Sequence, residues 1–217
     1  MGNPASGSAN DAKHASLVGT LHRRFVFGRR TMVLANHLSR LIPRHSRVLD
    51  VGCGDGTIDQ LITARREDIS IQGIDPLVRS SARIPVSKFD GETLPFSNTS
   101  FDVVMFVDVL HHINDPSILL REAARVGTTL LIKDHFSGST LANCTLRLMD
   151  WIGNAHYGVP LPYNYWSKPK WIAVFDSLGL QVREMKVKLQ LYPVPFSWFF
   201  DRNLHFIVRC DSPVTQR

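Results

Sequence analysis

Arg47-Val48-Leu49-Asp50-Val51-Gly52-Cys53-Gly54-Asp55-Gly56-Thr57 is the stretch whose reading decides the fold. It opens as an apolar run, Val48, Leu49 and Val51, which suits a strand buried on both faces. It then breaks into glycines at every second position. After Thr57, Ile58, Leu61 and Ile62 recur at helical spacing. A strand, a glycine turn and a helix bring bare backbone up to a ligand, because glycine carries no Cβ. A dinucleotide fingerprint requires G-x-G-x-x-G, and here the third glycine comes one residue early, at Gly56. A phosphate-binding P-loop requires a lysine at its end, and none is present.

The form Asp-x-Gly-x-Gly-x-Gly resembles motif I of the class I S-adenosylmethionine-dependent methyltransferases. The resemblance implies a single Rossmann-like α/β domain. Its sheet would be mostly parallel and seven-stranded, with an antiparallel last strand and helices on both faces. It also implies that Asp50, Gly52, Cys53, Gly54 and Gly56 meet the cofactor, with Asp50 near its amino-acid end. The plainer alternative is a glycine-rich turn without a ligand.

Working outward, Ile69 to Ile74 reads as the second strand, ending at Asp75-Pro76. An acidic residue there, about 20 residues past the glycines, can accept from both hydroxyls of a ribose. Asp75 also suits a helix cap with Pro76 in the first turn. Val86 to Phe89 reads as a third strand ending in Asp90-Gly91. The resemblance assigns Asp90 and Gly91 to the adenine, against a plain Asp-Gly turn. Phe101 to Val109 is the fourth strand and carries Asp108, a charge that needs a reason inside an apolar run. The ligand end of a parallel sheet supplies one, and Asp108 is placed to meet the cofactor's methionine portion. His111 and His112 follow and are candidate general bases. Thr128 to Ile132 is strand five, with Lys133, Asp134 and His135 at its end; Asp134 could orient His135 or His111, and Asp134 and His135 join the His pair as candidates to position or deprotonate the acceptor. Packing, capping or structural ion pairing remain the plainer roles for these polar groups. A base is needed only if the acceptor must lose a proton.

The rest of the chain is read for the acceptor. Leu17 to Ile42 looks helical in two pieces around Gly28, and its arginines, Arg29 and Arg30 among them, could hold an anionic acceptor. Ser137 to Gly153 suits a helix with Leu141, Cys144, Leu148 and Ile152 on its apolar face. The stretch 156–170 is dense in rings and prolines, so Tyr163, Tyr165 and Trp166 are candidate pocket walls, or else a small core of their own. Trp171 to Leu178 is a helix. Gln181 to Leu191 and Leu204 to Cys210 read as the last strand pair. Between them the apolar turn 192–200 would touch a membrane surface, a lipid substrate or a second subunit if exposed.

Composition narrows the classes. The chain has 217 residues, 44% hydrophobic and 20% charged, as expected for one globular domain. Residues 1–46 hold seven Lys/Arg against one acid, which accounts for the whole net charge of +6; the remainder is neutral. That argues against a nucleic-acid-binding face spread over the fold. Three scattered cysteines suggest free thiols and a cytoplasmic protein, and lack zinc-site spacing. Residues 1–14 and 211–217 are expected to be tails, 15–46 a basic helical lid and 47–210 the catalytic domain. The expected reaction moves a methyl group from S-adenosylmethionine to oxygen, nitrogen or carbon of a small molecule, leaving S-adenosylhomocysteine, with no metal. The protein would be a monomer or homodimer. Alternatives are a lipid or quinone methyltransferase at a membrane surface and a cofactor-binding regulatory or assembly protein. The second half of the chain resembles a bacterial branch of the superfamily, and the resemblance leaves its acceptor unassigned.

Overall fold

A computed structural model describes residues 28–154 and 161–213. The expected helical piece 17–27, the rings Tyr157 and Pro160, and the tails 1–14 and 214–217 lie outside the described residues. Seven strands form one sheet in the order β3-β2-β1-β4-β5-β7-β6. They are β1 (Arg47–Val51), β2 (Ser70–Asp75), β3 (Val86–Lys88), β4 (Phe101–Val107), β5 (Gly127–His135), β6 (Gln181–Lys186) and β7 (His205–Asp211). All neighbours are parallel except those of β7, which runs antiparallel to both β5 and β6. The helices are α1 (Gly28–Leu41), α2 (Thr57–Thr63), α3 (Pro116–Val126), α4 (Thr140–Asn154), α5 (Lys168–Ser177) and a short α6 (Ser197–Phe200).

Strand alternation builds two apolar layers. Leu49, Val51, Val104 and Phe106 face one cluster with Trp171 and Phe175 of α5. Val48, Val103, Met105 and Leu131 face the other, with Leu34 and Leu38 of α1 and Ile62 of α2. Consecutive residues alternate between layers, so nearly every residue of β4 is buried. Each such side chain contributes about 1.5–3 kcal/mol by leaving water. Local signals set the helix ends. Asp115 accepts from the Ser117 amide ahead of Pro116, and Ser167 accepts from the Lys170 amide ahead of α5. The Arg66 guanidinium donates to the Ser39, Ile42 and Pro43 carbonyls and so closes the C-terminus of α1.

Three expectations are corrected. β5 extends through Lys133, Asp134 and His135, which are strand residues paired with β7. β6 stops at Lys186, five residues short of Leu191, after a bulge at Val182/Glu184. The face of α4 expected to be buried is the exposed one. Leu141, Leu148 and Ile152 are exposed, as is Cys144, while Ala142, Leu146 and Asp150 turn inward. Ala142 and Leu146 pack on Leu204, and Asp150 is drawn in by hydrogen bonds to His111 and Tyr165. Ser212 is buried and its hydroxyl donates to the Ala124 carbonyl, so the packed domain continues past Cys210.

Candidate active site

The chain order reverses at β1, whose neighbours are β2 and β4, and ligands of such sheets bind beyond the strand C-termini at that point. A cavity of about 300 Å³ lies there. The glycine turn, Arg30, Asp108, His135 and Tyr192 line it, with Met149, Asp150 and Ile152 of α4 and Phe200 of α6.

The glycines of the turn serve different ends. Gly52, Gly54 and Gly56 all have left-handed backbones. A Cβ at Gly52 would meet Val109 at 2.6 Å, and one at Gly56 would meet Ile84 at 2.6 Å. Close packing therefore requires both. At Gly54 the nearest atom is the Arg79 guanidinium at 3.7 Å, so its backbone faces the cavity. The Asp75 carboxylate accepts from the Gly54 amide at 2.9 Å and from the Leu77 amide at 2.7 Å. It ties the end of β2 to the turn. Asp90 accepts from the Glu92 and Thr93 amides, and a Cβ at Gly91 would lie 3.7 Å from Pro76, so the ends of β2 and β3 adjoin. Asp75, Pro76, Asp90, Gly91 and Gly56 lie outside the lining of the cavity.

Beneath the turn, Asp50 lines the cavity and is 3% exposed. Its Oδ1, and both carboxylate oxygens of Asp59, are buried with no hydrogen-bond donor among the described residues. Burial raises both acids, and Asp59 further raises Asp50 by charge and by hydrogen bonding. Asp59 is pushed up to about 6. Two buried acids this near each other are not both ionised, since adjacent buried anions repel. Burial, with these carboxylates nearby, also lifts the Cys53 thiol, so it is no thiolate nucleophile at neutral pH.

The other wall is an ion-pair network. Asp108 has a left-handed backbone (φ 59°), which Asp tolerates, and its amide donates to the Lys133 carbonyl at 2.9 Å. Arg30 and Lys133 both donate to its carboxylate. Burial alone would raise Asp108, but these two cations hold it well below the usual carboxylate range. Lys133 is fully buried and also approaches His205 Nδ1 at 3.5 Å, while His205 Nε2 donates to the Phe200 carbonyl at 2.9 Å. That fixes His205 as the neutral Nε2–H tautomer, in keeping with a pKa held well down by burial and Lys133.

Asp134 is fully buried and accepts from the Leu110 amide, from the His135 amide at 2.8 Å and from His111 Nδ1 at 2.7 Å. Asp134 also lies 3.3 Å from His135 Nδ1, so it contacts both imidazoles. His111 Nε2 is 3.2 Å from Asp150, whose other oxygen accepts from the Tyr165 hydroxyl. Burial alone would lower His111, but the two carboxylates raise it to about 10. This favours an imidazolium at neutral pH, and His111 lies outside the cavity lining, an arrangement that suits a buried ion pair better than proton abstraction. His112 packs on it at 4.1 Å between ring centroids and lies outside the cavity lining. His135 differs. Burial and the nearby Lys133 lower it to about 4, so it is neutral, and it lines the cavity with Nε2 3.6 Å from Asp108. Two groups, His111/Asp134/His135 and His111/His112/Asp150, have ligand atoms within 4.8 Å of one another. At 2.7 Å His111 and Asp134 share a hydrogen bond, and a metal ion would have to displace that proton.

Among the expected pocket residues, Arg30 lines the cavity and Arg29 is exposed beside it. Trp166 is corrected to a core residue, 5% exposed and packed on Trp171, because its indole N–H finds Asn164 and its rings find the α5 layer. Tyr163 sits under the Arg147 guanidinium, and Tyr165 serves Asp150. Sequence reasoning missed Asp59, Asp150, His205 and Met149, and it read Tyr192 and Phe200 only as ends of an apolar contact turn. An acid in an apolar helix face, as at Asp59 and Asp150, was the one signal available.

A family model described as a methyltransferase domain matches residues 22–185. A 27-O-demethylrifamycin SV methyltransferase of Amycolatopsis mediterranei is 31% identical over 111 residues, which cover 44% of this chain and 40% of that protein. The chain's matches span about half or less of the length of the curated relatives. Among solved structures, the methyltransferase complex with the Trm112 activator from Haloferax volcanii aligns with a TM-score of 0.65 at 18% identity, covering 96% of this chain and 100% of that one. Geranyl diphosphate C-methyltransferase of Streptomyces coelicolor aligns at 0.61 and 12% identity over 82% of this chain and 79% of that one. At such identities these two show the shared fold.

Proposed function

The chain belongs to the methyltransferase-domain family, of class I fold, and we propose that it transfers a methyl group from S-adenosylmethionine to a small-molecule acceptor. The observation that carries the reading is the buried, unanswered Asp50 oxygen beside the open backbone of Gly54, at the cavity where the sheet order reverses. A cationic amino-acid end set there would satisfy Asp50, and Asp75 keeps a lone pair on each oxygen for a ribose. The residues present fit the cofactor. When bound, it supplies an electrophilic methyl carbon on a sulfonium sulfur, and S-adenosylhomocysteine remains afterwards.

The protein's part is alignment and exclusion of water. Asp50, Gly54 and Asp75 would hold the cofactor, and the ends of β2 and β3 at Pro76 and Asp90-Gly91 would take its base. Asp108 is locked by Arg30 and Lys133 and forms a rigid wall. Met149, Ile152 and Phe200 supply an apolar part of the lining. His135 is neutral and faces the cavity, so its free ring nitrogen would accept a proton from an acceptor hydroxyl or amine. Titration calorimetry with S-adenosylhomocysteine, followed by a labelled-methyl screen over phenols, acids and amines, tests the reading. Heat of binding and a labelled product support it. No binding of either cofactor form ends it.

A further inference from the structure

Two elements that wall the cavity also turn apolar side chains to the outside. Met149 and Ile152 of α4 and Phe200 of α6 line the cavity. On the outer side of α4, Leu148 is 50% and Trp151 59% exposed; in α6, Trp198 is 67% and Phe199 61% exposed. Val194 and Phe196 continue the face through the turn before α6. The two elements adjoin, because Arg202 donates to Thr145 on α4 and to the Phe199 carbonyl on α6. Exposed indoles and phenyl rings in such number exceed what a solvated surface needs.

Charge indicates what covers this surface. The charged side chains of α4 are Arg147 and Asp150, and those of the 193–203 stretch are Asp201 and Arg202. Asp150 is buried, and Asp201 turns inward to accept from the Leu191 and Tyr192 amides. Arg147 and Arg202 are exposed, as is Arg29, whose charge acts on Asp201. Among the described residues, the outward charges of these two elements are therefore cations. Aromatic rings ringed by arginine suit the headgroup zone of an anionic bilayer, where Trp is favoured and each cation adds about 1 kcal/mol. Ile152, Met149 and Phe200 put apolar lining of the cavity on the same two elements.

We infer that the outer face of α4 and the turn 194–199 seat the protein on an anionic lipid surface, and that the methyl acceptor is an amphiphile drawn from it. The second clause rests on the methyltransferase reading; the first does not. The test is co-sedimentation of the full chain with vesicles of phosphatidylcholine alone and with about one third phosphatidylglycerol. The double variant Trp198→Ala/Phe199→Ala and the single variant Trp151→Glu are run beside it, each checked for folding and for S-adenosylhomocysteine affinity. The expected result is salt-sensitive binding to the anionic vesicles, weakened at least about tenfold in both variants, with cofactor affinity unchanged. No binding to anionic vesicles at low salt overturns the inference. So does a self-association, seen by sedimentation velocity, that both variants abolish, for a second copy would then cover the face. Either failure with cofactor binding intact leaves the methyltransferase reading standing.

Discussion

His111 Nδ1 lies 2.7 Å from Asp134 Oδ1, with both side chains withdrawn from water. With Asp150 on the far side of the ring, the pair makes His111 a fixed cation that ties β5, the turn after β4 and α4 together. A raised imidazole contributes stability in full below its unfolded pKa of about 6.5 and loses it as pH climbs through the folded value of about 10. Thermal melts from pH 6 to 10 should show wild type losing about 2–4 kcal/mol relative to His111→Gln across that window, at about 1.4 kcal/mol per tenfold in proton affinity. Parallel curves for the two proteins would show that the ring is not charged in the fold.

His135 carries the opposite expectation. It is neutral and faces the cavity, so His135→Ala should leave S-adenosylhomocysteine affinity within about twofold and lower turnover about 100-fold on an acceptor that must lose a proton. The pH–rate profile of wild type should lack a limb near 10 from His111. Full turnover in His135→Ala, with loss in a folded His111→Gln, reverses the assignment.

Asp75 joins the end of β2 to the glycine turn. Asp75→Ala should weaken cofactor binding by about 1–3 kcal/mol, the range for hydrogen bonds to a charged group, and titration calorimetry reads it directly. Unchanged affinity contradicts the ribose assignment.

Asp59 has no donor and a pKa pushed up to about 6 by burial. An acid raised in the fold stabilises most while protonated, so this contribution falls as pH rises from about 4 through about 6. Asp59→Asn keeps the shape and can donate to Asp50. Urea unfolding at pH 8 should find the variant more stable by about 1–3 kcal/mol, with the difference gone near pH 4. A variant less stable at pH 8 would mean that the Asp50–Asp59 pair is not held as described.

The order of elements was legible because their patterns are local. The apolar run at Val48, Leu49 and Val51 can only be a buried strand, and the glycines after it can only be a turn. Helix α4 shows where such reading stops. It is apolar nearly all round, so the stripe Leu141, Leu148 and Ile152 looked like the core face. The helix instead rotates to bring Ala142 and Leu146 onto Leu204 and Asp150 onto His111. Those partners lie 39 or more residues away in the chain, where no local pattern reaches. Lys133, Asp134 and His135 do stand at the ligand end of strand five, but the strand itself runs through them to His135 because β7 continues the ladder beside them.

The amino-acid order alone determined the class of fold, the glycine turn and the carboxylates at the strand ends, because periodicity and glycine conformation act within a few residues. Which histidine is charged and which is neutral was settled only by tertiary structure. His111 and His135 have the same side chain and the same intrinsic pKa. Asp134 touches both rings; Asp150 closes the far side of His111, whereas burial and the Lys133 ammonium outweigh the carboxylates beside His135, and these groups come from separate elements that meet only when the sheet closes.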